Sequence, residues 1–240
     1  MNAKSPSKVY NAQLIIGTEA WNKISRVVDH VFAKIQKAKD DEGEGSTAKD
    51  WRVGLLGERG YRPHSITALL QSIDPSKKGS MYRIKVTFFL FLAIRFYAKF
   101  QQKGWSMRGY SSVDDCITTL RVPQEVGTRL FELFTSEMEG GAANTRGSSG
   151  AGGYIIPKPE KDKLNAYVLI LYIIASGNEM KVSSLNQLCK DIKLDVKDAS
   201  LVLREAGFVV KSAGRSSGGD VGASLSVPLK FPPPKRGKRS

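Results

Sequence analysis

The sequence predicts a mainly α-helical protein with small β-hairpins, and three observations predict it. Apolar residues recur at spacings of three and four over long stretches, which is the signature of helices with one buried face. Pro63 and Pro123 open such stretches, while Gly104, Gly177 and Gly207 close them. Alternation of small and apolar residues is confined to a short segment near the C-terminus, Ala223 to Val227.

Residues 1–24 read as a linker segment, polar at first and then apolar from Val9 to Ile16. Over 19–38 the spacing of Trp21, Ile24, Val27, Val28, Val31 and Ile35 predicts a helix. The acidic, Gly/Ser-rich run from Lys39 to Lys49 predicts an exposed loop. Residues 25–137 form the first expected domain, with its compact part from about residue 50. Pro63 starts a helix through Ile73 that turns Ile66, Leu69 and Leu70 inward, and Asp74-Pro75 begins a turn. A helix from Met81 to Gln101 is apolar on most sides, so it is buried on most sides. Gly104 and the segment through Tyr110 break it, and Pro123 opens a helix facing Val126, Leu130, Phe131 and Phe134 inward. These helices predict a core of winged-helix or related type. Residues 138–160 are expected to be a flexible linker, because 138–153 is mostly Gly, Ala, Ser and Asn. Its glycines lack the GxxxxGK[ST] spacing of a phosphate-binding loop.

The second expected domain spans 161–231. Asp162 to Ala175 reads as a helix with Leu164, Tyr167, Val168, Leu171 and Ile174 inward, ended by Gly177. Ser183 or Ser184 caps a short helix from Leu185 to Asp191, and Asp195 caps a third from Val196 to Ala206. Phe208 starts a strand, Ser212 to Asp220 is a hairpin tip, and Ala223 to Val227 returns. Helix, helix, turn, helix and hairpin is the winged-helix order, related to helix-turn-helix folds whose last helix enters a groove. Residues 232–240 are a basic tail held extended by Pro232, Pro233 and Pro234.

The 240 residues carry 37 Lys and Arg against 23 Asp and Glu, a net charge of +14. That surplus favours a polyanion, since each neutralised phosphate releases counterions; solubility or an acidic partner is the plainer alternative. Cys116 and Cys189 are far apart without CxxC spacing, and His30 and His64 lack metal-pair spacing. No disulfide framework, metal or cofactor is therefore expected. The apolar runs Val86 to Ile94 and Tyr167 to Ala175 are shorter than the roughly 20 residues of a membrane-spanning helix. They read as core helices, and the N-terminus has no signal-peptide core. No nucleophile–base pattern is present, so the expectation is a non-enzyme.

The candidate DNA-binding residues cluster in the last third. Lys197, Ser200 and Arg204 face solvent on the third helix, though Asp198 and Glu205 dilute their charge. Lys211 and Arg215 flank the hairpin tip, and Lys230, Lys235, Arg236, Lys238 and Arg239 follow. The tail cations suit phosphate contact and nuclear import alike. The first unit offers Arg59, Arg62, Lys77, Lys78, Arg83, Lys99 and Lys103. Trp105, with Arg108 and Tyr110, either stacks on single-stranded bases or covers the end of the helical core, the second being the commoner use of such a ring.

Three segments together resemble one family. They are VYNAQLIIGTEAWNKI from Val9 to Ile24; KLNAYVLIL from Lys163 to Leu171 with LCKDIKL from Leu188 to Leu194; and ASLSVPLKFP from Ala223 to Pro232. Their order and spacing are similar to those of the RNA polymerase I subunit of the A-forty-nine family, with Gly17 standing for a proline and Asn11 for an acid. The resemblance implies a tandem winged helix. It also implies a non-catalytic, nucleolar role in initiation and elongation on ribosomal RNA genes, through contacts with upstream or promoter DNA and with polymerase I subunits. The family's N-terminal dimerisation barrel has no counterpart in these residues, so a shortened family member, or a barrel on a separate chain, is expected. A free-standing winged-helix regulator and a winged-helix protein-interaction scaffold are the competing readings.

Overall fold

The structure, a computed structural model, describes residues 9–42, 50–57, 62–108, 110, 112–138, 152–177, 179–212 and 220–229, together with Pro6 and Phe231. It is mainly helical with two small antiparallel sheets. Four helices come first: α1 (Ala12–Ile16), α2 (Thr18–Glu42), α3 (Trp51–Leu56) and α4 (His64–Gln71). Two units with the same order of elements follow. The first runs α5 (Ser80–Gln102), β1 (Ser106–Arg108), α6 (Val113–Leu120), α7 (Gln124–Phe134), β2 (Ser136–Met138) and β3 (Gly153–Ile155). The second runs α8 (Lys158–Ser176), β4 (Lys181–Val182), α9 (Asn186–Ile192), α10 (Val196–Glu205), β5 (Phe208–Ser212) and β6 (Val221–Leu225). In each sheet the last strand lies between the other two, giving β1-β3-β2 and β4-β6-β5.

The opening helices of the two units, α5 and α8, pack on each other at the centre. Both are apolar nearly all round because neighbours surround them. In α5 the residues from Val86 to Ile94 are all buried, and in α8 those from Val168 to Ala175. Thr87, the polar residue inside the α5 stretch, is matched: its Oγ1 donates to the Arg83 carbonyl at 2.8 Å. Phe96 stands edge-on to Phe131, 5.4 Å between centroids, and Phe134 edge-on to Tyr167 at 5.3 Å, so rings carry packing from α5 through α7 to α8. One continuous hydrophobic core results.

The N-terminal helices bind both units. Tyr10 stacks on Phe208 of β5, while α2 buries Ala20, Ile24 and Val28 and packs on α7 and α5. Ser65 N–H of α4 donates to Asp191 of α9 at 2.7 Å. The segment expected as a linker over 1–24 is thus, from residue 9, a packed part of the core. Its apolar run is interrupted by Gly17 at φ 88, which separates two helices rather than extending a tether.

The flexible linker expected over 138–160 is corrected at its C-terminal side. Residues 153–155 form the central strand of the first sheet, pairing Tyr154 with both Met107 and Glu137. Gly153 is required there: a Cβ would lie 2.3 Å from the Met107 carbonyl oxygen. Helix α8 then begins at Lys158, inside the expected linker, with Pro157 as its N-cap residue. Residues 139–151 lie outside the described residues. The expected break after Gly104 contains β1, and the second sheet gains a third strand, β4.

Candidate nucleic-acid interface

Helix α10 is held by buried Ala199 and Leu203 and by half-buried Val196 and Val202. The Asp195 carboxylate caps it by accepting from the Lys197 N–H at 2.7 Å. This leaves Lys197, Asp198, Leu201, Arg204 and Glu205 exposed. Two cations therefore share one face with two acids and with Leu201, which is 45% exposed. Ser200, expected toward solvent, is half-buried, and its Oγ donates to the Val196 carbonyl at 2.7 Å. Its proton is committed inside the helix because that carbonyl lies one turn back.

Lys211 sits on β5, opposite Gly222 of β6. Two residues earlier, Val209 pairs with Ser224, which pairs with Lys181 of β4. Alternation along a strand puts Lys181, Val209, Lys211, Gly222 and Ser224 on the same, outer face of the sheet. The inward set, Val221, Ala223 and Leu225, is buried against the helices. The outer face is a shallow groove of about 470 Å³ whose ends carry Lys181 and Lys211. Its acid, Asp220, accepts from Ser184 Oγ at 3.0 Å and Asn186 Nδ2 at 2.6 Å, which ties the carboxylate to the start of α9. Lys190 and Lys193 lie exposed around the α9–α10 turn, Lys193 at φ 51.

Of the residues expected to contact DNA, Lys197, Arg204 and Lys211 are exposed on the second unit. Arg215, Lys230, Lys235, Arg236, Lys238 and Arg239 lie outside the described residues. Sequence reasoning missed Lys181, because a two-residue strand is too short to show alternation. It also missed Lys190 and Lys193, whose spacing of three, followed by four to Lys197, was the available signal.

The corresponding helix of the first unit, α7, is partly covered: Glu125, Thr128 and Arg129 on its outward face are half-buried, while Glu132 stays exposed. Lys23 of α2 pairs with Glu125 of α7 at 3.3 Å. Gly17, between α1 and α2, lies so close that a Cβ would stand 3.0 Å from Arg129 Nε. The first unit's expected cations are dispersed. Arg83 donates to the Ala175 and Ser176 carbonyls, Lys77 faces Asp74 at 4.0 Å, and Arg62 donates to the Gly57 carbonyl. Arg59 lies outside the described residues. Trp105 is half-buried at φ 66, edge-on to Tyr97 at 5.0 Å, with Lys161 Nζ 4.1 Å above its ring. It covers the end of α5, and Lys161 occupies one face of the ring.

Burial pushes the thiols of Cys116 and Cys189 up to about 11, so both are neutral, poor nucleophiles at physiological pH. Among the described residues no group of three His, Cys, Asp or Glu could hold a metal ion, and no helix is long and apolar enough to cross a membrane. On the second unit the described surface offers cations at two places, the sheet face and the α9–α10 corner.

No curated protein matches this chain. A family model does: that of the A49-like RNA polymerase I associated factors matches residues 1–232. The order of three segments read from the sequence, and a match over almost the whole length, lead to one conclusion: the chain belongs to the A49-like RNA polymerase I associated factor family.

Proposed function

We propose that the two units are winged helices in tandem, spanning Ser80–Ile155 and Lys158–Leu225, and that the chain is a non-catalytic subunit holding DNA for RNA polymerase I. In this reading it acts in the nucleolus, during initiation and elongation on ribosomal RNA genes, with polymerase subunits as protein partners. The observation that carries the proposal is the repeated order of helix, strand, two helices and two strands, with the same strand order in both sheets. In such units the third helix and the hairpin face nucleic acid. Among the described residues, only the second unit leaves its third helix and its sheet face open. Its lysines at positions 181, 190, 193, 197 and 211 suit phosphates, and its third helix, with balanced charge, is poorly made for reading bases. Binding is therefore charge-led and largely blind to sequence, and location on the gene comes from the polymerase.

The test is a salt titration of the chain with two duplexes of unrelated sequence. A log–log slope of about −4 or steeper, equal for both, is expected from five or more phosphate contacts. Selectivity of a thousandfold or more between the duplexes would favour a free-standing regulator. No duplex binding near physiological salt would overturn the proposal. Exposed Leu201 favours one variation: α10 docks on a protein of the polymerase while the sheet face and tail hold DNA.

A further inference from the structure

We propose that the solvent face of α2 is a second binding surface for the DNA backbone, taking the place of the partly covered third helix of the first unit. The inference rests on the reading that the chain binds duplex DNA, and adds a surface that neither the family match nor the second unit supplies.

Arg26, His30, Lys34 and Lys37 follow one another at spacings of four, four and three. In a helix that spacing places them on one line, about 16 Å long at 1.5 Å per residue. All four are exposed. Lys23 continues the line toward α7, where it is paired with Glu125. The acids of the described part of α2 do not neutralise the line's centre. Glu19 is in the first turn, where the helix dipole favours it, and Asp29 turns aside to Lys85 of α5 at 3.4 Å. Beyond Lys37 the side chains lie outside the described residues.

The chemistry selects a polyanion with regularly spaced charges. Protein interfaces are depleted of charge at their centres and enriched in aromatic residues. Among the described residues α2 contributes no exposed large apolar side chain. Of its apolar residues Ala20, Ile24 and Val28 are buried, and Trp21, Val27, Val31 and Phe32 are half-buried and packed against the core. Arg26 and Lys34 stand eight residues apart, a rise of about 12 Å, and Lys37 follows about 4.5 Å further on, so the three cations lie within reach of one phosphate backbone. Position adds to charge. Helix α2 packs along α7, and Gly17 just before it lies against Arg129, so the side of α7 that would face a duplex is shared with α2. One unit thus presents its own sheet and third helix, and the other presents an added helix.

The experiment compares two variants of the full chain with wild type, measuring duplex affinity between about 50 and 200 mM salt. The first is Arg26→Gln, His30→Gln, Lys34→Gln and Lys37→Gln; the second is Lys181→Gln, Lys197→Gln, Arg204→Gln and Lys211→Gln. Loss of three full charges from α2 is expected to lower the slope by about 2.7 for every sequence alike. The second variant keeps that part of the slope. A charge-conserving variant, Arg26→Lys, Lys34→Arg and Lys37→Arg, keeps the wild-type slope with circular dichroism unchanged. If the α2 variant binds as wild type while the second variant is weakened, this inference fails and the proposed function stands. If wild type binds no duplex, the proposed function fails and this inference with it.

Discussion

The Tyr10 hydroxyl donates a 2.6 Å hydrogen bond to the Ala206 carbonyl, joining residues 196 apart in sequence. Ala206 is the C-cap residue of α10, so this bond closes the end of the candidate DNA-facing helix. The ring stacks on Phe208 with centroids 5.8 Å apart, and burial raises the phenol above its ordinary value, which keeps the donor protonated. Replacing Tyr10 by Phe should cost about 1 kcal/mol, the net worth of one hydrogen bond. Replacing it by Ala should cost roughly 2–3 kcal/mol, since the stacked ring is lost as well. Denaturant melts check both values. Equal losses for the two variants would mean that the ring contributes nothing.

Arg83 and Gly177 form a second joint between the units. The guanidinium donates at 2.9 Å to each of the last two carbonyls of α8, which have no partner within the helix. Gly177 adopts φ 72, and a Cβ there would stand 2.4 Å from Arg83 Nε. Gly177→Ala should therefore lose more than 1 kcal/mol, combining left-handed strain with displacement of the arginine. Arg83→Ala should lose about 2 kcal/mol through two unpaired carbonyls. The double variant should be less destabilised than the sum, because the clash vanishes with Arg83. Additive losses in urea melts would show that the clash is relieved elsewhere.

Much of this fold was legible in the sequence where a physical signal persisted over several turns. The apolar stretches of α5 and α8, and Asp195 before α10, predicted their elements within a few residues. The first sheet was not legible: three-residue strands are too short to show alternation, and β3 joins β1 only through chain closure across a glycine-rich segment. Helix α6 carries local signals in the sequence, Ser112 as its cap and Asp114 and Asp115 in its first turn. The site was legible only in part. The repeat of Arg26, His30, Lys34 and Lys37 is present in the sequence, but charged residues recur on any solvated helix face, so the pattern marks exposure before it marks a site. That α2 would partly cover α7 depends on tertiary packing, which no local pattern records.

The buried thiols make stability fall at alkaline pH. Cys116 and Cys189 are raised from 9.0 to about 11, first by burial and then by the nearby charges of Asp115 and Asp195. A group whose folded value lies above its unfolded one gives stability that is complete below the unfolded value and lost as pH rises through the folded one. Melting temperature should hold to pH 9 and drop between pH 9 and 11. The drop should shrink in the Cys116→Ala, Cys189→Ala variant. Thiol-reactive dyes should label the native chain far more slowly than the denatured one at pH 8. Rapid native labelling would show that these helices open readily.

The face of α10 allows the role of that helix to be decided by addition of affinity rather than by loss. Asp198 and Glu205 are exposed beside Lys197 and Arg204, and a phosphate backbone over this face would be repelled by both acids. Exposed charges interact by about 0.5 kcal/mol each at moderate salt, so the variant Asp198→Asn, Glu205→Gln should bind duplex DNA roughly five times more tightly. It should also show a steeper salt slope, since Lys197 and Arg204 are then unopposed. A gain cannot come from misfolding, which makes the result easier to interpret than a loss. Affinity unchanged by the substitutions would mean that α10 does not face DNA, and would leave exposed Leu201 as the centre of a protein contact.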